Sequence, residues 1–156
     1  MNTEVAQSES NQPNQLLTFF YQYGPYLAFI QALFAMLGSL YFSEIKGHYP
    51  CNLCWYQRIL MYPLTMITLV GIIKRDEYLP NYVLPFSLLG MCVSLYHYLL
   101  QKKIIPSDGC GSFSCDAQYE NYFGFITIPF LALVAFIVIN VVIGLTYWAY
   151  RQQESE

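Results

Sequence analysis

The sequence predicts an all-α integral membrane protein, a four-helix bundle in which two short connections carry cysteine pairs. Three observations lead there. Hydrophobic residues make up 56% of the 156-residue chain and charged residues only 11%, against about 25% charged in ordinary soluble domains. Four apolar stretches are each long enough to cross a hydrocarbon core about 30 Å thick, which takes about 20 residues in a helix. The stretches are continuous rather than alternating, and helices or closed barrels are the structures that satisfy their backbone in lipid. The length suits one domain.

The elements follow in order. Met1 to Gln15 are polar, with Glu4 and Glu9 but no Lys or Arg, a pattern unlike the basic start of a cleaved signal peptide. The tail before Leu16 reads as a disordered arm, and the N-terminal arm as a whole is taken as residues 1–20. The first span is expected at about 23–42, inside an uncharged stretch that begins after Ser10. The second is expected at about 53–73, with Arg58 one turn inside it. The third covers about 82–100, broken by Pro85 and carrying His97 near its far end. The fourth covers about 122–148, uncharged, with Pro129 near its start. Residues 151–156 form a C-terminal tail. Tyr and Trp gather near the expected helix ends, as an aromatic belt does.

Four crossings place both termini on one side and the first and third connections on the other. Charge does not orient the bundle: Lys74, Arg75 and Arg151 fall on one side, Lys46, Lys102 and Lys103 on the other, so the positive-inside rule favours neither direction. The seven Lys and Arg form no stripe, which argues against nucleic acid as a partner. A net charge of -3 implies no strongly charged partner.

Five cysteines carry the chemistry. Cys51 and Cys54 form a C-x-x-C where the first connection enters the second helix. Cys110 and Cys115 form a C-x4-C in the third connection, so both pairs share one side of the membrane. Residues three apart on a helix nearly face one another, at a Cα separation a disulfide can bridge. Pro50 suits a helix opening, and first-turn N–H groups with the helix dipole favour a thiolate. A thiolate is both nucleophile and leaving group in disulfide exchange. The second pair lies in a Gly/Ser/Asp loop, accessible to a protein partner or serving as a structural staple. Cys92, alone in the third span, reads as a small core residue. Arg58 follows Cys54 by one turn; it either favours the Cys54 thiolate and holds the carbonyl of a ring-shaped acceptor, or snorkels to headgroups. His97 is either a packing residue or a proton and hydrogen-bond donor to a ligand.

The run Cys51-Asn-Leu-Cys-Trp-Tyr-Gln-Arg58 resembles the active-site signature of the DsbB family of bacterial disulfide bond formation proteins. The run Phe123-Gly-Phe-Ile-Thr-Ile-Pro-Phe130 resembles its BdbC-type branch, and the similarity extends from about residue 25 to 148. The resemblance implies a thiol:quinone oxidoreductase. A DsbA-like or BdbD-like thioredoxin-fold oxidase would attack the Cys110–Cys115 disulfide, with Cys110 forming the mixed disulfide. Cys115 would exchange with Cys51, freeing Cys54 to donate to a membrane quinone (menaquinone or ubiquinone) with help from Arg58. His97 matches a histidine lining the family's quinone pocket. Cys110 and Cys115 stand closer together than in the best-known members, which shortens the reach toward Cys51. Because disulfides persist on the oxidising side, the implied orientation has extracytoplasmic cysteine loops and cytoplasmic termini in the plasma membrane. Rival readings are a vitamin K epoxide reductase-like enzyme, in which the loop pair precedes the C-x-x-C, and a structural subunit with two staples. A third is a membrane metal-binding protein whose four paired cysteines hold zinc.

Overall fold

The computed structural model describes residues 12–48, 50–104 and 127–154. Four long helices run through them: α1 (Gln12–Leu40), α2 (Asn52–Lys74), α3 (Leu79–Gln101) and α4 (Ile128–Glu154). Each is long and apolar enough to cross a membrane. At 1.5 Å per residue, the 23 residues of α2 and of α3 each reach about 35 Å, slightly more than the hydrocarbon core. No strand occurs among the described residues.

Each helix packs on its neighbours in sequence, and α1 and α4 close the ring. Tyr21 near the start of α1 meets Tyr150 near the end of α4, with ring centroids 4.9 Å apart. At the opposite end, the close of α1, the start of α2, the close of α3 and the start of α4 surround one cavity. The described ends of the chain therefore lie together, on the far side of the bundle from Cys51.

The ends of the helices differ from the expected spans for identifiable reasons. The first helix begins at Gln12, within the stretch expected to be a disordered arm. Once the apolar stretch is helical, adding residues at its end costs far less than starting a new helix. At its other end α1 widens into a single π-helical turn, Tyr41–Ile45, closed by Lys46 N–H donating to Tyr41 O. The third helix is continuous through Pro85 rather than broken there; the missing N–H leaves one carbonyl without its bond near the helix start, where a bundle tolerates it. The fourth helix begins at Ile128, not near Tyr122. Pro129 stands in its first turn, where proline fits, and a residue preceding proline is disfavoured in helical conformation. Residues 122–126 lie outside the described residues.

The turn between α2 and α3 is tight. Arg75, at φ 51°, caps α2 in the left-handed region with its N–H on Gly71 O and Ile72 O. One carboxylate oxygen of Asp76 accepts the Tyr78 N–H at 2.9 Å, and the other accepts the Tyr82 hydroxyl.

The bundle is apolar outside and partly polar inside. Phe34, Ile59, Met66, Ile73 and Leu89 are all more than half exposed, a surface no soluble monomer carries over such an area. The core is built from Ala28, Ala32, Leu64, Val83, Phe136, Ile139 and Ile143, with Met61, Leu79 and Ala135 beside them. Some buried hydroxyls are satisfied within their own helices, Thr68 donating to Leu64 O at 2.7 Å and Thr146 to Val142 O at 2.8 Å, and Ser87 reaches across to Asn140 Oδ1 at 2.7 Å. Gly90 lets α3 and α4 approach, since a Cβ there would overlap the Phe136 ring. Small residues at such crossings are how helices pack in lipid, where apolar burial alone gives little drive. Cys92 is exposed, not a core residue. It shares the outward face of α3 with Leu88, Leu95 and Tyr96; in a bilayer that face is apolar too, so a thiol suits it as well as the interior.

Candidate active site

The site grows from the start of α2. Cys51 is the N-cap, in extended conformation (φ -70°, ψ 171°), and its sulfur accepts the Cys54 N–H at 3.4 Å. A cap side chain bonding the third N–H of the helix is the arrangement that Ser, Thr and Asp usually make; here a cysteine makes it. Pro50 precedes the cap rather than opening the helix. The cap brings the two sulfurs 3.1 Å apart, within hydrogen-bond reach of one another as a pair of thiols.

His97, only 2% exposed, reaches the pair from α3. Its Nε2 lies 3.6 Å from Cys51 Sγ, and its Nδ1 lies 3.2 Å from Gln57 Nε2. An amide nitrogen can only donate. With the Gln57 amide so oriented, the matching tautomer has Nδ1 as acceptor and the ring proton on Nε2, toward Cys51. The Cys51 thiol is accordingly held well below the usual thiol range. The hydrogen bond from Cys54 is the largest cause; burial opposes it, and the His97 ring and the Cys54 N–H add to the lowering.

Arg58 packs near Cys54 but its hydrogen bond goes to α1. It lies half-buried over the Trp55 ring, 5.6 Å from the centroid, and its Nη2 donates to Ser39 O on α1 at 3.1 Å. Ser39 O also accepts from Ser43 Oγ at 3.3 Å, where α1 passes into its π turn. Such turns recur at functional sites because they displace a helix face by one residue.

Cys51, Cys54, Arg58 and His97 all border one cavity of about 360 Å³. The α1 and α4 sides of its lining are mostly apolar, with Phe34, Ala35 and Gly38 from one helix and Leu131, Ala132 and Phe136 from the other. A largely apolar cavity with a few convergent polar groups suits a ring ligand. The first pair and both expected ligand-pocket residues are thus brought together. Cys110 and Cys115 lie outside the described residues.

Sequence reasoning misses Gln57, although it is buried at 6% exposure and holds His97. A signal is present: an uncharged polar residue within a membrane span, one turn from Cys54. Cys51, Cys54 and His97 also form a compact set of soft ligands, all ligand atoms within 4.8 Å of one another. That set differs from the four-cysteine site considered for zinc.

Comparison with known proteins agrees with this geometry. Residues 22–146 match the family described as disulfide bond formation protein DsbB. The chain is 56% identical over 115 residues to the probable disulfide formation protein C of Halalkalibacterium halodurans, covering 72% of this chain and 84% of that one. It is 53% identical over 119 residues to disulfide bond formation protein C of Bacillus subtilis, covering 73% and 85%. A probable disulfide formation protein of Coxiella burnetii is 39% identical over 131 residues, covering 81% and 89%. No solved structure is significantly similar. A capped cysteine pair in a helical membrane bundle and a match over most of its length have one meaning: the chain belongs to the DsbB family of disulfide bond formation proteins.

Proposed function

We infer that this protein is a thiol:quinone oxidoreductase that reoxidises a thioredoxin-fold disulfide oxidase and passes two electrons to a membrane quinone. The observation that carries the reading is the Cys51–Cys54 dithiol at the wall of an apolar, ring-sized cavity that Arg58 and His97 also border. The residues present fit a quinone head group: a mostly apolar lining with the Arg58 cation and the His97 ring at its wall. A quinone bound there would supply an acceptor for two electrons and two protons.

The chain's own residues prepare the dithiol for that loss. The Cys54 N–H and His97 Nε2–H stabilise negative charge on Cys51, making it the better nucleophile and the better leaving group. Cys54 Sγ sits in van der Waals reach to close the disulfide and lines the cavity itself. Arg58, tied to Ser39 O, keeps a fixed positive charge at the cavity wall, where a developing anion in low dielectric gains most. Oxidation of the pair breaks two S–H bonds, forms one S–S bond and releases two electrons and two protons to the acceptor. Cys110 and Cys115 serve in this reading as the pair that meets the partner oxidase and then exchanges with Cys51. The oxidising chemistry of disulfides favours the cysteine-bearing end outward in the plasma membrane, with both termini cytoplasmic.

The test is quinone reduction by the purified protein in liposomes, driven by a reduced thioredoxin-fold dithiol. Cys54→Ser should abolish turnover, and Arg58→Ala should lower it about 10²-fold, the scale of losing one electrostatic stabiliser. A protein that binds quinone and never reduces it would sink the reading.

A further inference from the structure

We propose that, in its dithiol state, the Cys51–Cys54–His97 cluster binds one thiophilic divalent cation of the zinc class. The site is distinct in chemistry from electron transfer, and it does not depend on whether the acceptor is a quinone.

Geometry comes first. A tetrahedral zinc ion, with sulfur at about 2.3 Å and imidazole nitrogen at about 2.0–2.1 Å, sets its ligand atoms about 3.8 Å apart for sulfur–sulfur and about 3.6 Å for sulfur–nitrogen. Cys51 Sγ and His97 Nε2 already stand 3.6 Å apart. The two sulfurs, now 3.1 Å apart, need only open slightly. The third edge, Cys54 to His97, is within 4.8 Å, so a small rotation of the Cys54 side chain completes the face. The fourth position opens onto the cavity that all three residues border, leaving room for water, as in zinc sites with three protein ligands.

The surroundings suit a metal as well. Metal-binding histidines usually give their other ring N–H to an acceptor that fixes the ring. Gln57 stands at that nitrogen, 3.2 Å away. As oriented, its amide donates to Nδ1; turned over, it presents Oε1 to an Nδ1–H and frees the Nε2 lone pair for a cation. Two thiolates and a neutral imidazole balance a divalent charge, so binding leaves no net charge buried. It breaks two S–H bonds, forms two metal–sulfur bonds and one metal–nitrogen bond, and releases two protons to water. Oxidation removes the site, because a Cys51–Cys54 disulfide has no anionic sulfur to offer. Conversely, a bound cation holds both sulfurs and stops the pair from closing its disulfide.

The experiment uses the full-length chain in detergent with Cys92→Ser, Cys110→Ser and Cys115→Ser, reduced and freed of reductant without oxygen. Cobalt(II) is titrated as the spectroscopic stand-in, then displaced with zinc. Thiolate-to-cobalt charge transfer and tetrahedral d–d bands should saturate at one ion per chain and vanish after the pair is oxidised. Gln57→Leu should weaken binding about 10–100-fold, the usual cost of losing a partner behind a metal-bound histidine, and His97→Gln by more. Helicity and elution volume of each variant check its fold; should His97→Gln fail that check, Gln57→Leu and the oxidised parent still decide. Two results would overturn the proposal: no bands in the reduced protein, or equal affinity after His97→Gln.

Discussion

Gln57 shows how one uncharged side chain decides what its neighbours do. Its amide nitrogen lies on His97 Nδ1, which directs the remaining ring proton toward Cys51 Sγ. Gln57→Leu removes that constraint without adding charge, and the ring becomes free to change tautomer or rotate. A net hydrogen bond is worth about 1 kcal/mol, and more where a charged group is involved, and each 1.36 kcal/mol is tenfold in rate. Alkylation of Cys51, followed by mass spectrometry in the reduced protein, should therefore slow about 3- to 10-fold, with Gln57→Asn recovering part of the loss. An unchanged rate would mean that His97 is held by packing alone. The cysteine pair and His97 are legible in the sequence because their chemistry is scarce in a membrane span. Gln57 lies inside the same motif but does not stand out, since glutamine carries no charge and its role depends on a ring from another helix. Arg58 is legible as unusual but not in its bond: the Ser39 carbonyl is 19 residues away in sequence, just before a π turn that nothing local announces.

Helix pairing depends on a few close crossings and tight turns. Gly90 admits the Phe136 ring against the α3 backbone. Gly90→Ala forces the ring or the helix to move, and overpacking of this kind costs about 1–3 kcal/mol. Thermal unfolding in detergent should show Gly90→Ala as clearly destabilised, and Phe136→Leu in the same chain should recover a large part, since residues in contact are not additive. Simple addition of the two losses would show that the contact is not limiting. The Asp76 carboxylate holds the α2–α3 turn by two bonds; Asp76→Ala should cost about 0.5–2 kcal/mol, as loss of a capping side chain does, in the same unfolding measurement. The number of helices is readable because hydropathy over about 20 residues is a strong signal. Their ends are not, because a helix continues past its apolar stretch wherever the backbone bonds are satisfied. Pro85 illustrates the point: in the sequence it reads as a break, yet α3 runs through it, while Pro129 does mark a start. The same residue type gives opposite outcomes according to its distance from the helix end.

The bundle as a whole is inverted relative to a soluble protein, with hydroxyls, Gln57 and His97 inside and Phe34, Ile59 and Ile73 outside. That inversion fixes the solvent but not the direction of insertion. Charge leaves direction open, since lysines and arginines stand at both ends. Aromatic side chains do too, with Trp55 and Tyr56 exposed at one end and Tyr147 and Trp148 at the other. The proposed direction rests on chemistry: in the proposed cycle the dithiol returns to a disulfide, which persists on the oxidising side. In a cysteine-free chain, Lys46→Cys places a single thiol at the exposed connection beside the active end, and Glu77→Cys places one at the exposed turn on the opposite end. A membrane-impermeant maleimide added to intact cells should label the first and leave the second unlabelled until the membrane is permeabilised. The reverse pattern would put the Cys51–Cys54 end in the reducing cytoplasm. There the glutathione and thioredoxin systems would keep the pair reduced, and a protein of this family would then have to run as a reductase rather than as the oxidant of exported thiols.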